Sequence, residues 1–106
     1  MKKFFHVSFV WGGPAKSTET LRPIFDIAED WLYFGNGNWI IYTDEDIYTW
    51  QGRMIAVLGP TDYCFISEIT NVYGTAGWLA QSSWDWLRKD RNPISYLMPP
   101  SPSNAL

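Results

Sequence analysis

The sequence predicts an α+β fold in which four strands and two helices run in the order β-α-β-β-α-β, and three observations carry that prediction. Asn36-Gly37 sits between the aromatic and β-branched runs WLYF and WIIYT, the turn chemistry of a tight hairpin. Apolar residues recur at spacings of three and four over residues 21–31 and again over 47–58. Two more strand-like runs, 3–11 and 62–70, flank these segments. A chain of 106 residues with 46% apolar content is one domain with enough hydrocarbon for a single core.

Taken in order, Lys3 to Trp11 is rich in Phe and Val and stops at Gly12-Gly13-Pro14, a buried strand followed by a turn. Leu21, Ile24, Phe25, Ala28 and Trp31 then form a helical stripe, with Asp26, Glu29 and Asp30 on the wet side. Pro23 belongs in a first turn, which moves the expected cap from Ser17 or Thr18 to near Thr20. Asn36 and Gly37 supply the two positive φ angles of a type I′ turn, although Trp31 must then end one element and begin the next. Thr43 or Asp44 is the expected cap of the second helix, with Glu45 and Asp46 facing its positive end. Ile47, Trp50, Met54 and Val57 or Leu58 make its stripe, and Gly59-Pro60 ends it. Asp62 to Thr70 is the fourth strand. Ser82 or Ser83 is expected to cap a short helix, Trp84 to Lys89.

This order is the split βαβ, ferredoxin-like arrangement: a four-stranded antiparallel sheet with two helices on one face and a short C-terminal helix. Residues 1–92 form the expected domain, and 93–106 a Pro- and Ser-rich tail with too few apolar residues to order alone. One cysteine, Cys64, excludes an internal disulfide and fits a reducing, cytoplasmic setting. MKKFFHVSFV is too interrupted by His6 and Ser8 for a signal sequence, and no run reaches the ~20 apolar residues of a membrane span, so no membrane partner is expected. A formal charge of −3 argues against a broad nucleic-acid surface, leaving only a local patch of Lys2, Lys3, Arg88, Lys89 and Arg91, more simply read as solvated charges.

Few motifs carry chemistry. WGGPAKST lies between strand and helix like a phosphate loop, but Val10 and Ala15 stand where that motif needs glycines. Asp44, Glu45 and Asp46 are explained by the helix dipole. His6, the sole histidine, lies in an apolar first strand with no nucleophile nearby, which sets aside a Ser-His-Asp or Cys-His set. Aromatic residues make up 18% of the chain, and Trp11, Trp39, Trp78, Trp84 and Trp86 are the candidates for an interface. Trp84 and Trp86 lie about 200° apart on a helix, so one should pack on the domain and the other meet a neighbour.

The segments NWIIYTDEDIYTW, DYCFISEITN and GWLAQSSWDWLRK, in this order, resemble the SinR-like small proteins, relatives of the CRISPR-associated endoribonuclease-like and VapD-like group. The resemblance spans about Lys3 to Lys89. It implies a ferredoxin-like homodimer joined through sheet edges, placed among proteins of bacterial defence and mobile elements. Metal-dependent nucleases of that group carry an acid at the end of the first strand, in a segment such as S-Y-D-L; here Ser8-Phe9-Val10-Trp11 stands there, and Val10 cannot ligate a metal. The expectation is therefore a non-catalytic binding or structural homodimer without a cofactor. Two alternatives are a nuclease using Asp62 or Glu68 with Mg²⁺ or Mn²⁺, and a small acidic inhibitor of a nucleic-acid-binding defence protein.

Overall fold

Strand β1 (Lys3–Val10) runs through the interior of an open antiparallel sheet in the computed structural model, which describes residues 1–91. The expected tail at 93–106 lies outside the described residues. On one side β1 pairs with β3 (Asn38–Thr43), which pairs in turn with β2 (Asp30–Gly35); on the other it pairs with β4 (Tyr63–Ile69). The strand order is β2-β3-β1-β4 in an α+β architecture whose described residues include three α-helices. None of them is long and apolar enough to cross a membrane.

The Asn-Gly turn behaves as its chemistry requires. Asn36 has φ 51° and Gly37 φ 78°, both in the left-handed region of a type I′ loop, and a bulge between Tyr33 and Gly35 adjusts the register. A Cβ on Gly37 would come within 3.0 Å of the Phe9 carbonyl oxygen, so glycine is needed there for space as well as for angle.

The helix ends differ from expectation. Helix α1 (Thr18–Phe25) is capped by Ser17, whose hydroxyl accepts from Thr20 N–H, so Pro23 lies inside the helix rather than in its first turn. A proline there removes one intrahelical bond, and the helix stops two residues later. Trp31 accordingly belongs wholly to β2, and the periodicity that linked it to α1 reflects two elements facing one core. Helix α2 (Ile47–Ile55) is capped by Asp46, which accepts from Thr49 N–H at 2.8 Å. Thr43 instead accepts from Glu45 N–H and the Trp50 indole, and Glu45 reaches Arg53 by two bonds of 2.7 Å. The Arg53 guanidinium holds the Glu45 carboxyl below its ordinary value. Helix α3 (Gln81–Arg88) begins earlier than expected, without a side-chain cap, and Ser83 is buried within it.

Alternation along the strands makes two apolar faces. Phe5, Val7 and Phe9 of β1 and Trp39 and Ile41 of β3 point to one face and pack against Leu21 and Phe25 of α1 and Trp50 and Met54 of α2. Trp39 is at the centre, fully buried, with Phe25 stacked on it at 3.9 Å and the rings of Trp31 and Tyr33 leaning against it. The opposite face carries Phe4, His6, Ile40, Tyr42 and Ile69, and α3 packs there through Leu87 and Trp86. Arg91 closes this layer: its guanidinium lies over Trp86, Phe4 and Tyr42 at 4.5 to 5.1 Å, while Asp30 faces it at 3.6 Å and binds Lys89 at 3.0 Å.

Truncating Trp39 to alanine should lower stability by about 3–5 kcal/mol, seen as a fall in the urea midpoint. Gly37→Ala should cost at least about 1 kcal/mol, because it combines the left-handed penalty with the contact on Phe9. An unchanged midpoint in either variant would mean that the core or the turn is not arranged as described.

Candidate functional site

The end of β1 is where the family resemblance would look for an acid. Val10 is opposite Tyr63 of β4 and 61% exposed, presenting a hydrocarbon surface. Asp62, one of two candidate acids, is used elsewhere: Oδ1 accepts from Gly12 N–H at 2.8 Å and Oδ2 from Gly59 N–H at 2.7 Å. Those two bonds clasp the loop after β1 to the turn before β4. Together with the nearby Lys16 ammonium they hold the Asp62 carboxyl below its ordinary value. Glu68, the second candidate, is exposed near the far end of β4, opposite Phe5 rather than Val10. The structure thus brings neither acid together with Val10 into a donor set. Val10 offers no oxygen to a hard divalent cation, and the two oxygens of Asp62 are each turned to a backbone N–H. Among the described residues no three His, Cys, Asp or Glu side chains are grouped closely enough to hold a metal ion.

Of the interface candidates, Trp39 is placed where it cannot reach a partner, being sealed inside the core. Trp11 is half-buried and stacks on Phe9, with ring centroids 4.7 Å apart. Trp84 and Trp86 are both half-buried. Trp86 meets Phe4 edge-on, and Trp84 lines a groove on the same sheet face, with Arg88 over its ring. The division of labour expected between them is therefore replaced by two flanks of one helix resting on one sheet. Trp78 is 99% exposed at the rim of that groove, whose floor includes His6, Ile40 and Ser67. His6 is a structural residue here. Asn38 donates to the carbonyls of Gly35 and Asn36, which turns its Oδ1 toward His6 Nε2 at 3.0 Å, and Phe34 packs on the imidazole.

Tyr63 and Phe65 were not singled out by the sequence. Both are on the α3 side of β4, 70% and 68% exposed, and adjoin Val10 and Ser8 of β1. Helix α3 stops short of them, so Val10, Tyr63 and Phe65 form an uncovered apolar patch. Period two along Tyr63-Cys64-Phe65 was the available signal; what it lacked was the knowledge that α3 would cover only part of this face. The patch borders the outer edge of β4, a seven-residue strand without proline or lysine and in unbroken register with β1. Its outer backbone groups pair with no strand among the described residues.

The terminal basic residues do not gather into a free patch. Lys2 pairs with Glu29 and faces Asp44, Lys89 and Arg91 share Asp30, and Arg88 lies over Tyr73 and Trp84. Compared with protein-family models, curated proteins and solved structures, the chain matches none of them.

The Asp62 clasp predicts an acid-sensitive loop. A carboxyl whose folded pKa is depressed adds stability above the ordinary value of about 3.9, and that stability is lost as pH falls through the lower folded value. Wild type should therefore melt above Asp62→Ala at neutral pH, with the gap closing in strong acid. Amide exchange at Gly12 and Gly59 should be faster in the variant; equal exchange would remove the clasp.

Proposed function

We propose that the chain is a non-catalytic binding component that pairs with a second copy of itself through β4, as the resemblance to the SinR-like group implies. The observation that carries this reading is the coincidence of an unprotected strand edge with the uncovered patch of Val10, Tyr63 and Phe65. Unpaired strand edges are ready templates for another strand, and proteins that remain single blunt them with charge, proline or bulges. β4 has none of these on its long regular run, apart from Glu68 near its end. A two-fold axis perpendicular to the sheet would set β4 antiparallel to its copy and keep both Tyr63–Phe65 patches on one face. Backbone bonds would then give register, and the aromatic rings would add buried area.

The ferredoxin-like description belongs to the same proposal. It is supported by the βαββαβ element order and by β1 and β2 running parallel with β3 between them, each being antiparallel to β3. The role of Val10 follows from the pairing. At the position where metal-dependent relatives would offer an acid, this chain offers hydrocarbon to the contact surface. Any place in bacterial defence or mobile-element biology comes with the family resemblance and stands or falls with it.

Sedimentation equilibrium of the full chain at micromolar concentration should give twice the chain mass. The double change Tyr63→Lys and Phe65→Lys, on exposed side chains, should halve it while leaving the thermal midpoint within a few degrees. A wild-type protein that stays single across the micromolar range would sink the proposal.

A further inference from the structure

A cavity of about 470 Å³ lies between the loop after β1 and the tip of the β2–β3 hairpin, within the size range of small-molecule sites. Its walls include Trp11, Tyr33 and Trp39, with Lys16 and Thr18 beside them. The geometry points to a binding site for a small anion carried on a flat ring.

Shape comes first. Trp11 is held flat by its stack on Phe9, with the two planes 10° apart, so the aromatic wall is fixed rather than floppy. One rim is pinned by Asp62 on Gly12, where a Cβ would come within 2.2 Å of the Thr61 carbonyl oxygen. The other is pinned by Phe9 N–H donating to the Gly37 carbonyl at 2.9 Å. Both rims are therefore set before a ligand arrives, which cuts the ordering cost of binding.

Charge comes second. The wall contains no Asp or Glu, although acids outnumber bases in the chain by eleven to eight. Lys16 makes no contact ion pair with a described residue; it feels the Asp62 carboxylate, but that group lies outside the cavity wall. The Tyr33 hydroxyl accepts from Gly37 N–H at 3.4 Å and keeps its own hydrogen to give. Trp39, fully buried in the wall, has an indole N–H with no partner, a cost that folded proteins seldom leave standing. A ring seated in the cavity would lie against the Trp39 side chain and perturb this indole without touching its N–H. A flat ring between aromatic walls, with a carboxylate or phosphate toward Lys16, matches both the shape and the charge of the space.

The cavity shares no residue with the Val10, Tyr63 and Phe65 patch, so its failure would leave the pairing through β4 untouched. Titration calorimetry of the full chain would use AMP as the phosphate-bearing ring and 4-hydroxybenzoate as the carboxylate-bearing ring. Adenosine and 4-hydroxybenzyl alcohol serve as neutral twins. At least one anion should bind saturably, and its twin about tenfold more weakly or not at all; the anion that binds identifies the source. Lys16→Gln, at an exposed position, should keep the thermal midpoint and lose about tenfold in affinity. The Trp39 indole N–H resonance should move on binding in wild type. Saturation by neither anion, equal binding of the twin, unchanged affinity of Lys16→Gln or a stationary Trp39 resonance would each overturn the proposal.

Discussion

The stack of Phe25 on Trp39 is the contact on which the rest of the molecule depends. Two rings 3.9 Å apart and nearly parallel join the buried face of α1, which Leu21 and Phe25 form, to Trp39 near the start of β3. Such a pair is worth roughly 0.5–1.5 kcal/mol beyond the area it buries, and here it also fixes where three other rings can sit. Trp31 and Tyr33 approach Trp39 from β2, and Trp50 of α2 lies 6.3 Å from Phe25. A short helix with a proline inside it would have little stability alone. It persists because its buried face is clamped by this aromatic cluster.

That dependence explains what could and could not be read from the chain. The hairpin was legible because Asn36-Gly37 acts through local backbone angles, which no distant contact needs to supply. The end of α2 was less legible: it stops at Ile55 with Ala56 as its C-cap, so Val57 and Leu58 follow the helix and Gly59-Pro60 comes after its end. The caps were harder: Ser17, Thr20, Thr43, Asp44 and Asp46 all have suitable side chains, and the choice among them was made by where the helices had to land on the sheet. Trp39 illustrates the limit for function. An aromatic residue in a strand serves a core or a contact equally well by composition, and only the packing of α1 above it decides.

The exposed features share one origin. A sheet with apolar residues on both faces needs cover on both, and this chain covers one face with α1 and α2 but the other only in part, with α3 and the segment before it. The uncovered remainder falls at Val10, Tyr63 and Phe65, beside the free edge of β4. At the opposite corner the sheet is closed by Arg91, a cation held among three rings and facing one carboxylate, so its charge is balanced where its solvent has been stripped away. Burial lowers its affinity for its proton and Asp30 partly restores it.

The bulge between Tyr33 and Gly35 has a consequence for assembly. It lies on β2, the other rim of the sheet, where it breaks the straight ladder that an incoming strand would copy. Under the proposed pairing through β4, a sheet receptive along one margin and irregular along the other would recruit a single mate and have nowhere to seat a third. Growth by strand addition would thus be self-terminating, giving a discrete particle instead of a fibre.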